Sequence, residues 1–171
     1  IATLKKPLYY KPSDMKERLN NNEGKKKFDA TYAAVKTAIE KNKEYDTSYT
    51  YKQGDGGSAL NNKFWAMVSE IWTQVNNGCY VYATNGDTAV KDFTIKRLMQ
   101  MTEFTYPPID ANVDGYLSQA ANYLAIGYDT FYNVLTPSQK EQILAKIESL
   151  LENIMGKLFG ERVQGCKEHI L

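Results

Sequence analysis

The side chains with most to offer chemically are aromatic and amide rather than nucleophilic. Thirteen tyrosines stand against a single histidine, His169, in a chain of 171 residues. Tyrosines together with many asparagines suit a surface that stacks on, and hydrogen-bonds to, polar ligands such as sugars; tyrosines packed in a helical core would leave the same composition. Trp65 and Trp72 are seven residues apart and so share one side of a helix. They read either as a platform for the CH faces of sugars or as packing between helix layers. Tyr128 and Tyr132 lie one turn apart. They read either as a tyrosine tip facing a groove or as rings packed in a hairpin, with Asp129 capping or pairing nearby. Asp110 and Asp114 are close in sequence, but no fixed spacing identifies a carboxylate pair for glycoside hydrolysis.

Other chemistries lack their signatures. No Ser-His-Asp arrangement, zinc motif or dinucleotide fingerprint is present. Gln53-Gly54-Asp55-Gly56-Gly57 lacks the Gly-Lys-Ser/Thr ending of a phosphate loop and reads as a connection, with a loop over a ligand cleft left open. Cys79 and Cys166 make neither a metal site nor a disulfide framework, and whether they pair is open. No metal or cofactor is expected. Charged residues make up 24% and nearly cancel, at +1 net, which argues against non-specific nucleic-acid binding. Lys25-Lys26-Lys27 reads either as a local basic patch or as a solvated helix start. No apolar run approaches the about 18 residues that span a bilayer, and no secretory signal is visible. The sequence opens Ile1-Ala2-Thr3 without Met, so a removed leader or a fragment is expected. It stops on Ile170-Leu171, as a chain cut before its next helix would.

Hydrophobic spacing supplies the elements that must carry these residues. Leu117, Ala121, Leu124, Tyr128, Phe131 and Leu135 recur at steps of four and three, and Ile143, Ile147, Leu150, Ile154 and Leu158 repeat the pattern. Between them, Thr136 can N-cap a helix, Pro137 suits the first helical position and Gln139 can complete a capping box. This predicts a hairpin over 113–159, with Gly160 at its end. An earlier hairpin is predicted over 58–104. Its first helix starts near Ser58, buries Leu60, Phe64, Val68, Ile71 and Val75, and passes through Gly78 to about Ala83. Its second runs from Thr88 to about Phe104 and buries Val90, Phe93, Ile95, Leu98 and Met99; Pro107-Pro108 closes it. Before it come an extended segment over 1–12 and the first helices within 13–44. The shorter of these covers about 14–20 and is capped by Ser13-Asp14; the longer carries Phe28, Tyr32, Val35 and Ile39. The expectation is one all-α domain over 1–171, truncated at its C-terminus.

Three stretches carry a family resemblance. Pro7-Leu8-Tyr9-Tyr10 with Ser13-Asp14-Met15 resembles the opening of the heparinase II/III-like and alginate-lyase-like polysaccharide lyases. Val81-Tyr82-Ala83-Thr84-Asn85-Gly86-Asp87 is similar to the aromatic helix end and Thr-Gly-Asp type turn of that family. Leu124 to Tyr132, followed by Leu135-Thr136-Pro137, looks like its Tyr-Asp-Trp-Leu-Tyr run and Leu-Ser/Thr turn. Thr130 stands where that family usually has Trp, which weakens the case for a substrate-facing aromatic there. The resemblance implies antiparallel helical hairpins forming part of an incomplete (α/α) toroid, in a secreted or periplasmic bacterial enzyme. It implies an acidic polysaccharide as substrate, cleaved by β-elimination, with these residues as one wall of the groove. The alternative is a non-catalytic helical module that binds a glycan or a protein. Such an elimination needs neutralisation of the uronate carboxylate, usually by Asn, His or Arg, and a Tyr or His as base. Within the resemblance, Arg162 and His169 lie where a groove-facing segment would begin; His169 reads equally as an ordinary exposed residue, and no catalytic residue is assigned. The candidate substrate-binding residues are therefore Trp65, Trp72, Tyr128, Tyr132, Arg162 and His169.

Overall fold

The computed structural model describes residues 5–54, 62–108 and 114–168, with side chains of the last stretch described from 115 to 156. Among these residues six helices follow one another: α1 Pro12–Arg18, α2 Asn22–Lys41, α3 Lys63–Asn85, α4 Thr88–Glu103, α5 Asp114–Phe131 and α6 Pro137–Glu168. Among the described residues there is no strand, so the chain is all-α as expected.

Local chemistry sets the helix ends. α1 begins at Pro12, where a fixed φ helps and a missing N–H costs nothing. The expected Ser13-Asp14 cap does not form, because the helix starts earlier, with Lys11 at the N-cap, and Ser13 and Asp14 lie inside its first turn, where the Ser13 hydroxyl donates to Asp14 Oδ1 at 3.0 Å. α2 is capped by Asn21, whose Oδ1 accepts from the Gly24 N–H at 2.6 Å. A Cβ on Gly24 would meet the Arg18 carbonyl oxygen at 1.9 Å, so glycine lets α1 and α2 meet there. α3 starts at Lys63 behind an Asn62 cap rather than near Ser58, which lies with 55–61 outside the described residues. It ends at Asn85, with Gly86 left-handed at φ 72. Asp87 then caps α4: its Oδ1 accepts from the N–H groups of Ala89 at 2.9 Å and Val90 at 3.1 Å, and its Oδ2 takes the Tyr32 hydroxyl. The capping box at the second turn forms as the sequence suggests. Thr136 N–H donates to Gln139 Oε1 at 2.9 Å, and Gln139 N–H to Thr136 Oγ1 at 3.2 Å. α6 passes through Gly160 instead of stopping there, since a helical glycine costs about 1 kcal/mol without enforcing an end.

The two tight turns make α3 with α4, and α5 with α6, antiparallel neighbours. α3 is the spine. Phe64, Val68, Ile71, Val75 and Cys79 on it are fully buried, and it packs against α1, α2, α4 and α5. Burial of the first four side chains contributes on the order of 10 kcal/mol before chain entropy is counted. Gly78 sits at the closest approach to α4, where an added Cβ would lie 1.9 Å from Thr94 Oγ1. Gly127 on α5 similarly admits the Leu98 side chain, 2.5 Å from where its Cβ would be. On α4 the expected Val90, Phe93 and Leu98 are buried, whereas Ile95 and Met99 are half-buried. Arg97, unforeseen, is fully buried in their company. Its guanidinium donates to Gln100 Oε1 and to the Lys43 carbonyl, both at 2.8 Å, and lies over the rings of Tyr45 and Phe93. It ties the segment after α2 to α4.

Two predictions follow from this packing. Gly78→Ala lowers the melting temperature although alanine is the better helix former, because the α3–α4 clash outweighs about 1 kcal/mol of propensity. Combining it with Thr94→Ala restores part of the loss; a melting temperature raised by the single change contradicts the close approach. Asp87→Ala costs about 1 kcal/mol near neutral pH. Tyr32, then the Val90 N–H, holds the Asp87 carboxyl below its usual range, so its contribution is present above about pH 4 and fades as pH falls through the lower folded value. Denaturant titrations should therefore show wild type and Asp87→Ala converging in acid.

Candidate functional site

The tryptophans and the α5 tyrosines do not share a surface. Trp65 and Trp72 are 1% and 3% exposed. Tyr116 stacks on Trp65 with centroids 4.8 Å apart, and Tyr123 meets Trp72 edge-on at 5.6 Å. Both indoles pack between α3 and α5, so neither offers a face to a sugar in this conformation. Tyr128 and Tyr132 are half-buried and meet edge-to-face at 5.5 Å. The Lys5 ammonium lies over both rings, at 5.7 and 4.6 Å, and Lys140 covers Tyr132 at 4.1 Å. Arg162 belongs to α6, but its side chain lies outside the described residues, as do His169, Cys166, Asp110 and the Asp114 side chain.

A more open constellation lies at the other end of the N-terminal segment. Residues 5–10 run as an irregular strap that bends over Leu8, Tyr9 and Tyr10 rather than staying extended as expected, bringing Tyr9 and Tyr10 beside α1, α2 and α3. There they enclose a cleft of about 290 Å³ with Arg18 of α1, Lys27 and Thr31 of α2, and Asn76, Asn77 and Tyr80 of α3. A second recess of about 220 Å³ shares Arg18, Lys27 and Tyr80 and reaches Asn21, Glu23 and Gly24. Helical geometry explains the α3 contribution: Asn76, Asn77 and Tyr80 fall on the side turned away from the Phe64–Val75 stripe. Tyr9 and Tyr10 meet edge-on at 4.8 Å, and Tyr10 lies 5.9 Å from Tyr80, which in turn contacts Phe28. The Tyr10 hydroxyl donates to Asn76 Oδ1 at 2.8 Å, which turns the Asn76 amide toward donation. Among the described residues neither Arg18 nor Lys27 is ion-paired. Two free cations, amide N–H groups and phenol rings thus line one wall. Such a wall suits an anionic, hydroxyl-rich ligand with apolar CH faces.

A recess of about 420 Å³ between α2 and α3 suits such a ligand poorly. Ala34, Ala38, Ala66 and Ser69 line it, and its one charge is Glu70, which Lys43 engages. Among the described residues, no three His, Cys, Asp or Glu side chains gather where a metal ion could be held. No described helix is long and apolar enough to cross a membrane.

The electrostatics of the cleft favour binding over proton abstraction. Burial, then the neighbouring Tyr9 phenol, pushes Tyr10 above its ordinary value, so it stays protonated and donates. Burial and Tyr132 also push Tyr128 upward. A tyrosine base needs the opposite shift. Cys79 is fully buried beneath this region, its thiol raised to about 12 by desolvation, and is inert as a nucleophile.

Sequence reasoning missed Arg18, Lys27, Asn76 and Asn77. Lys27 lay within a basic run that resembles any solvated helix start, and nothing local marks the two asparagines as facing a strap 66 residues away. The Pro7-to-Tyr10 motif was the usable signal. No family model matches the chain, and neither the curated proteins nor the solved structures compared with it give a significant match.

The raised Tyr10 value has a measurable consequence. Unfolded tyrosines ionise near about pH 10 while Tyr10 remains protonated in the fold, so stability is full below about pH 10 and falls as pH rises beyond it. Tyr10→Phe should lose about 1 kcal/mol at neutral pH through the Asn76 bond, and show a shallower alkaline decline than wild type in denaturant titrations. Parallel declines would contradict a Tyr10 held neutral by burial.

Proposed function

We propose that these hairpins form the opening part of an incomplete (α/α) toroid in a secreted or periplasmic bacterial polysaccharide lyase. The enzyme cleaves uronic-acid-containing polysaccharides by β-elimination, and this chain supplies one wall of the substrate groove. The observation that carries the proposal is the cleft in which Arg18 and Lys27, without ion-pair partners among the described residues, stand with Tyr9, Tyr10 and Tyr80. The ordered resemblances at 7–15, 81–87 and 124–137 support it, as does the all-helical hairpin architecture.

In this proposal Arg18 and Lys27 neutralise carboxylates along the polymer, Asn76 and Asn77 donate to hydroxyls, and the tyrosine rings pack on sugar CH faces. The proton-abstracting group lies elsewhere in the groove, since Tyr10 is shifted the wrong way for a base. The test is growth of ultraviolet absorbance from unsaturated sugar ends when the full-length protein meets heparan sulfate, chondroitin and alginate. Turnover of at least one is expected, with Arg18→Ala/Lys27→Ala raising KM about tenfold at low salt and changing kcat less. Absence of product from every uronate polymer contradicts the proposal, and so does turnover by residues 1–171 alone.

A second reading, a non-catalytic glycan-binding module, draws on the same raised Tyr10 value. Oligosaccharide binding by the full-length protein without any turnover would select it.

A further inference from the structure

Before Tyr10, which packs against the core, the strap that lines the cleft has little apolar burial to hold it. Leu8 is 72% exposed and Tyr9 56%. Its anchors are polar and lie at the end of α5. The N–H groups of Leu8 and Tyr9 both donate to Asp129 Oδ2, at 2.7 and 2.9 Å. Asn133 pairs reciprocally with the Lys5 backbone: Lys5 N–H donates to its Oδ1 at 3.1 Å, and its Nδ2 donates to the Lys5 carbonyl at 2.7 Å. The Lys5 ammonium stands 3.8 Å from Asp129 Oδ1 and over the Tyr132 ring. Two backbone donors on one carboxylate oxygen, in a side chain only 13% exposed, form a charge-assisted clamp.

The clamp has a direction. Immediately after the two clamped amides come the Tyr9 and Tyr10 side chains, and Tyr10 completes the cleft through Tyr80 and Asn76. Without the clamp, a strap in which Lys5, Lys6, Leu8 and Tyr9 are exposed would have to find that position against its own conformational entropy. We propose that Asp129 is the positioning residue of the cleft: it seats the strap that supplies the Tyr9–Tyr10 wall, and glycan binding and strap docking reinforce one another. This rests on the cleft being an anionic-glycan site. Reciprocity follows from thermodynamics, because a ligand that binds only the docked form must stabilise docking by the same factor that docking improves its affinity.

The test pairs amide hydrogen exchange at Leu8 and Tyr9 with calorimetric binding of a mannuronate tetrasaccharide and a glucuronate–hexosamine tetrasaccharide. Asp129→Ala should speed exchange at the two strap amides by about tenfold or more while Val68 and Val75 stay protected. It should weaken binding of the tetrasaccharide that wild type takes by about tenfold. Asp129→Asn keeps an oxygen that can accept both N–H groups, so it should fall between wild type and alanine in both measurements; it also serves where the alanine variant folds poorly. Tetrasaccharide added to wild type should slow exchange at Leu8 and Tyr9. Unchanged strap exchange in Asp129→Ala overturns the clamp. Faster exchange with unchanged affinity overturns the positioning role but leaves the cleft as a glycan site. If wild type binds neither tetrasaccharide, the glycan assignment fails and the positioning role with it, while the exchange measurement still reports whether Asp129 docks the strap.

Discussion

The structure depends on burying the broad apolar face of one helix. α3 carries Phe64, Val68, Ile71 and Val75 on one stripe, with Trp65 and Trp72 beside it, and all six are buried. No single partner helix can cover that much surface. α4 and α5 take the indole and aliphatic sides, α2 and α1 take another, and glycines at 78 and 127 let the backbones close without voids. The other side of α3 stays partly open, over Ser69, Glu70 and Thr73 and, further along, over the polar sector of Asn76 and Asn77. The cleft forms there because the same enclosure that hides the spine leaves α1, the start of α2 and the strap converging on that sector.

Elements whose signals are local were legible in the sequence. The Thr136–Gln139 box, the Gly86-Asp87 turn and the Val68–Val75 stripe each rest on spacing within one or two turns, and all are present. Features that need distant contacts were not legible. Arg97 is a charged residue in a helix whose apolar neighbours gave no sign that its guanidinium would sit between Tyr45 and Phe93. Asp129 reads locally only as a cap or a pairing partner, because the amides it holds lie 121 and 120 residues earlier. The tryptophan pair shows why spacing cannot tell a platform from a core: both place the rings on one side, and only the presence of Tyr116 and Tyr123 decides.

Chemically, the wall is equipped to hold charge rather than to move protons. Tyr10 and Tyr128 are pushed toward the neutral form by burial, and the thiol of Cys79 is sealed. The cations that could lower a phenol's value, Arg18 and Lys27, line the cleft exposed and, among the described residues, without an ion-pair partner. In the proposed lyase, a groove that bound here and reacted elsewhere would divide labour along the polymer, so that binding energy gained at remote sugars could orient the reacting one.

Backbone chemical-shift mapping of the protein with a uronate tetrasaccharide would test the assigned cleft most directly. Perturbations gathered at Arg18, Lys27, Asn76, Asn77 and Tyr80 are expected. A set of shifts confined to the exposed Leu144, Leu151 and Met155 stripe of α6, or no shifts at saturating ligand, would contradict it.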